Sequence, residues 1–209
     1  MKKIATRAMS TVVTALFLLI SGSALAHTGT GEPHVHGWMA SLQAGVLHPF
    51  SGWDHLLAML IVGAWAVTGL RRDRRVLAPL AFLAALALGG TLGMAGVAIP
   101  GGELAIAASV IVLAVLWGLG QRVEPATGLA LIAVAGLLHG HAHGAEMVDG
   151  LFATGYAAGF LTGSAVLHGL GWVAGRGLAE TRSALGEHAR RLLAAGAGLA
   201  GLAMLVGRV

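Results

Sequence analysis

The sequence places 10 histidines and no cysteine among its 209 residues. With no thiol there is no disulfide, no thiolate metal site and no cysteine nucleophile, so metal or proton chemistry falls to His, Asp and Glu. These residues collect at three places inside otherwise apolar sequence. Ionisable groups there are costly and mark a site or a pathway.

The first place is His48-Pro49-Phe50-Ser51-Gly52-Trp53-Asp54-His55. On a regular helix His48 and His55 would share a face, with Asp54 about 120° away, but Pro49 and Gly52 argue against regularity. A break here would free backbone groups and let three side chains surround one ion, as the broken helices of transporters do. The plainer alternative has Asp54 capping a helix while the histidines lie at the membrane interface. The second place runs from His139 to Glu146. His139, His143 and Glu146 stand at i, i+4 and i+7, which stacks two imidazoles and a carboxylate on one helix face, a ligand set for a borderline divalent metal. His141 would point roughly the opposite way, and a solvated His-rich turn is the alternative. The third is His168, roughly 25 Å along its helix from Leu151 and toward the far face of the membrane. It reads either as a deep ligand or as a hydrogen-bonding partner of a neighbouring helix. His27, His34 and His36 lie in a polar, glycine-rich tail, and Glu103, Glu124, Asp149, Glu180 and Glu187 fall at loops or helix ends without an assigned role.

The elements that must position these groups follow from composition. The chain is 56% hydrophobic and 11% charged, with a mean hydropathy of +0.82. A soluble domain carries about 25% charged residues, so the expected fold is an all-α, multi-pass membrane bundle. Six helices are expected over 53–70, 76–99, 103–119, 125–143, 151–174 and 192–206. A shorter apolar stretch, 38–50, ends at Pro49 and reads as half of a broken helix or as a re-entrant segment. Gly136, Gly140 and Gly144, and again Gly155, Gly159 and Gly163, recur every four residues. That spacing lets helix backbones approach closely, so the fourth and fifth helices should contact each other or a neighbour along these strips.

Residues 1–26 read as a signal peptide cleaved before His27, with Lys2, Lys3 and Arg7 ahead of an apolar run and an Ala24-Leu25-Ala26 ending. Residues 27–37 then form an extracytoplasmic tail and 38–209 the transmembrane domain. The formal charge of +4 and pI of 10.7 do not call for nucleic acid. Cleavage leaves 10 basic against 9 acidic residues. Nine of those ten fall on one side: Arg71, Arg72, Arg74 and Arg75 after the first helix, Arg122 after the third, and Arg176, Arg182, Arg190 and Arg191 after the fifth. Arg208 is the exception. By the positive-inside rule that side is cytoplasmic, and both mature termini are extracytoplasmic.

Two motifs in this frame resemble those of the HupE/UreJ family of hydrogenase and urease accessory permeases. The family pattern His-Pro, two residues, Gly, one residue, Asp-His is matched by His48, Pro49, Gly52, Asp54 and His55 and continued by the run from Leu56 to Ala66. The pattern His-Gly-x-Ala-His-Gly-x-Glu is matched by His139, Gly140, Ala142, His143, Gly144 and Glu146, and the stretch around His168 is similar. The resemblance implies a nickel permease of the bacterial cytoplasmic membrane, with cobalt the cargo of some relatives. The matched His, Asp and Glu residues would be ligands along the path, and the chain would hold no tightly bound cofactor. Whether it forms a homo-oligomer is left open.

On this reading a divalent metal enters from outside at His139, His143, Glu146, Asp54 and His55 and passes His168. No nucleotide-binding Gly-x-x-x-x-Gly-Lys loop is present, so the membrane potential is the expected drive, worth roughly 2.3 kcal/mol per charge per 100 mV. A rival of another class is an intramembrane zinc hydrolase built on His139 and His143 with His168 or His55. A compact three-histidine site would favour the enzyme, and ligands strung along a cavity would favour transport.

Overall fold

The computed structural model describes residues 37–147, 152–181 and 184–207. The segment read as a signal peptide, the tail with His27, His34 and His36, and Asp149, Arg182 and Arg208 lie outside the described residues. Among those described, the chain is helical throughout, with no strand. Helix α1 spans Trp38–Leu47 and leads into a 3₁₀ turn at His48–Phe50; α2 spans Trp53–Gly69, α3 Leu77–Met94, α4 Gly102–Leu119, α5 Pro125–Ala145, α6 Ala153–Glu180 and α7 Ala184–Val206. Helices α3 to α7 are long and apolar enough to cross a membrane, and α1 with α2, bent by 78°, makes a sixth span if the pair counts as one.

Local chemistry sets the ends of these elements. Pro49 brings no N–H to continue α1, and Gly52 turns extended (φ −107°, ψ 129°) before α2 restarts at Trp53. Helix α3 stops at Met94, short of the expected 99, because Gly96 takes φ 76°. Its N–H bonds the Gly93 carbonyl while that of Val97 bonds Leu92, a left-handed glycine termination. Glu124 caps α5 by accepting from the Thr127 N–H at 2.9 Å, with Pro125 as the first helical residue. The backbone N–H groups of Ala126 and Thr127 hold the Glu124 carboxyl below its ordinary range.

Glycine arranges the bundle. The α5 strip packs on α3, Gly136 against Phe82, Gly140 against Leu86 and Gly144 against Gly90, and a methyl group at Gly140 would collide with the Leu86 carbonyl. The α6 strip packs on α1, Gly155 against Trp38, Gly159 against Leu42 and Gly163 against Val46. Farther along, Gly171 and Gly175 of α6 meet Leu60 and Ala64 of α2. The two strips therefore take separate neighbours rather than each other. Residue numbers rise together along both α1/α6 and α2/α6, so both halves of the bent pair follow α6 in one direction. That course is that of one broken span, not of a loop that turns back. Ser41 fastens its first half, accepting from the Phe152 N–H at 3.0 Å.

The arginines share one end of the bundle. Arg176, Arg190 and Arg191, expected in a loop, are helical, since α6 runs on to Glu180 and α7 begins at Ala184. Pairs one turn apart, Arg176 with Glu180 at 2.7 Å and Arg191 with Glu187, carry both helices past their apolar stretches. Arg190 donates to the carbonyls of Trp117 and, at 2.9 Å, Gly118, closing the exposed end of α4.

Candidate metal centre

At the opposite end the break between α1 and α2 faces α5. His48 enters from the 3₁₀ turn, His55 from the first turn of α2 and His143 from the last turn of α5. One ligand nitrogen from each lies within 4.8 Å of the other two. Their ring centroids are 4.5 Å apart for His48 and His143, 4.2 Å for His55 and His143, and 6.0 Å for His48 and His55. His55 and His143 are buried, His48 is half-buried, and the His143 Nε2 has no hydrogen-bond partner among the described residues. Three imidazoles this close cannot all carry protons without repulsion, whereas one divalent cation would satisfy all three lone pairs. Nitrogen sets of this kind suit nickel, cobalt, zinc or copper.

The sequence-expected residues divide around this group. Asp54 is buried, but its Oδ1 accepts the His55 backbone N–H at 2.8 Å and lies 3.4 Å from His55 Nδ1. It is thus placed to orient His55, as a carboxylate behind a metal-binding histidine does. His139, one turn below His143 on α5, has its ring 5.1 Å from that of His55. Its Nδ1–H donates to the Ala135 carbonyl at 2.8 Å, which makes Nε2 the basic nitrogen. His168 repeats this arrangement on α6: Nδ1–H donates to the Ser164 carbonyl at 2.6 Å, and Nε2 is buried with no hydrogen-bond partner among the described residues. Glu146 stands apart from the three-histidine group. Glu146 is the exposed C-cap residue of α5, its N–H bonding the Ala142 carbonyl, and is not among the three residues whose ligand atoms converge. His141 points away as expected and binds the Val97 carbonyl at 2.5 Å, tying α5 to the turn after α3.

Depth can be followed along α6. Val46 and Pro49 lie against Gly163, about 15 Å along α6 from Ala153. The broken helix therefore carries His48 and His55 into the interior, and His168, near the middle of α6, lies only about 8 Å farther along that axis than Gly163. It is the deepest of the expected ligands, beside Phe82 on the second turn of α3. Aromatic rings, which spacing of ionisable residues could not reveal, line the course. Phe160 stands 4.6 Å from His143 and 5.7 Å from His48, and Tyr156 lies 5.8 Å from His48. The structure thus contains both a compact three-histidine group and further buried imidazoles beyond it.

The model of the HupE / UreJ protein family matches residues 15–204. Protein HupE of Rhizobium leguminosarum bv. viciae is 39% identical over 186 residues, covering 88% of this chain and 95% of the relative. No solved structure matches. A match across nearly all of the helical domain, both histidine motifs included, places this multi-pass membrane chain in the HupE/UreJ family.

Proposed function

We propose that the protein is a permease that takes up divalent nickel, with cobalt as the alternative cargo, to supply maturation of a nickel hydrogenase or urease. Membership of an accessory family supports the role, and the observation that carries it is the convergence of His48, His55 and His143 at a broken span, continued inward by His139 and His168. The histidine end faces outward and the arginine end the cytoplasm, in keeping with the positive-inside rule. Hydrated metal sheds water onto the three imidazoles, Asp54 holds His55 in the binding orientation, and the deeper lone pairs of His139 and His168 receive the ion in turn. The membrane potential favours entry by roughly 4.6 kcal/mol per 100 mV for a divalent ion. The test is accumulation of nickel, cobalt, zinc and copper, compared side by side, in metal-depleted cells expressing wild type or His55→Ala at equal membrane level. Loss of nickel or cobalt uptake in the variant is expected; equal accumulation in both, or none in wild type, overturns the reading.

The compact three-histidine group favours the zinc-hydrolase reading on one count. Against it, the candidate group includes no carboxylate to polarise a water, since the nearby Asp54 is engaged with His55. Hydrolysis of a peptide or ester by zinc-loaded protein in detergent, lost in His143→Ala, would revive it.

A further inference from the structure

Phe82 is fully buried on the second turn of α3. Its ring centroid lies 5.9 Å from that of His139 and 5.1 Å from that of His168. One apolar ring therefore touches both deeper imidazoles, and His168 Nε2 is an otherwise unused lone pair beside it. Phe82 belongs to the apolar core and closes on both imidazoles from it. A phenyl ring offers a divalent ion no ligand atom to replace the water it must shed. Backbone contacts fix the ring's root, since Phe82 backbone atoms rest on Gly136 of α5, so any displacement of the ring is a rotation about its own side-chain torsions.

We propose that Phe82 is the gate of the pathway: an apolar plug that separates the outer basin of His48, His55, His143 and His139 from His168, so that this conformation is closed. The inference rests on the permease reading. Metal captured outside advances only when the ring swings aside, which stops the two sides from being joined by a continuous polar path. Discrimination among ions then depends on dwelling at the histidines rather than on leakage past them.

The chain's lack of cysteine provides a probe that needs no transport. His168→Cys introduces a single reporter thiol, to be labelled in inside-sealed vesicles by a membrane-impermeant thiol reagent applied from the histidine side. Slow labelling is expected, rising at least several-fold when Phe82→Ala is added. In proteoliposomes Phe82→Ala alone, with His168 intact, should pass Ni²⁺ faster than wild type and admit Mg²⁺, while Co²⁺ binding at the outer histidines, read from its absorption spectrum, stays unchanged. Where Phe82→Ala does not yield folded protein, Phe82→Leu replaces it in both measurements. Equal labelling with and without the ring, or unchanged flux and ion discrimination, overturns the gate while leaving the permease intact. A wild type that neither binds nor moves metal defeats the permease reading itself, and with it the gate.

Discussion

The two ends of the bundle handle ionisable groups in opposite ways. At the arginine end charges meet complementary groups: Arg176 meets Glu180, Arg191 meets Glu187, and Arg190 reaches the Trp117 and Gly118 carbonyls. At the histidine end three side chains of one kind converge on each other. Groups that stabilise a fold find complementary partners within it, whereas three ring nitrogens within 4.8 Å of one another form a ligand set that could hold a metal ion. On the proposed function, the contrast separates residues that build the helix ends from residues that would receive cargo, although both ends are rich in polar atoms.

That contrast is broken most directly at His143. His143→Ala should abolish measurable metal uptake, losing more than the ~10–100-fold that removal of an outer-shell partner costs, with protein still folded and inserted. Retained uptake would show that the cluster is only packing. Asp54→Asn comes next: metal affinity, measured by titration of purified protein, should fall by ~10–100-fold and not vanish, since Asp54 acts through His55. A loss as complete as that of His143→Ala would make Asp54 a direct ligand. Acidification follows. An imidazole that takes a proton surrenders the lone pair that binds metal, so uptake should decline as pH falls and recover on return; a flat profile would contradict binding by neutral histidine. The smallest effects belong to the other end. Arg190→Ala should lower the melting temperature by exposing the α4 carbonyls while leaving uptake per folded molecule intact, and Arg191→Ala, at a surface pair, should change neither. An uptake defect in either would erase the division between the two ends.

The spans were legible in the sequence because each long apolar run has one outcome in lipid. Their boundaries at 174 and 192 were not, because the expectation followed hydropathy and the charged turns of α6 and α7 are held by pairs within the helix. Pro49 and Gly52 correctly marked a break, and the i, i+4 spacing of His139 and His143 correctly placed both on the inner face of α5. Glu146, three residues farther on, falls at the exposed C-cap of the same helix. Most hidden was the pairing of His143 with His48 and His55, which depends on α6 seating the broken span deep in the bundle. Phe82 and Phe160 were invisible for a related reason: among many apolar residues nothing local distinguishes a ring that touches a ligand from one that touches a leucine.

The unbroken course of α6 beside both halves of the broken span has a consequence for biogenesis. The chain emerges from its amino end, so His48 and His55 enter the membrane early, His143 waits for α5, and α6, which supports the break, comes later still. A chain arrested before α6 has made every proposed ligand of the outer group but lacks the strut that sets them at depth. On the proposed function, competence to hold metal would therefore be acquired near the end of synthesis, and a truncated product would lack the assembled outer group.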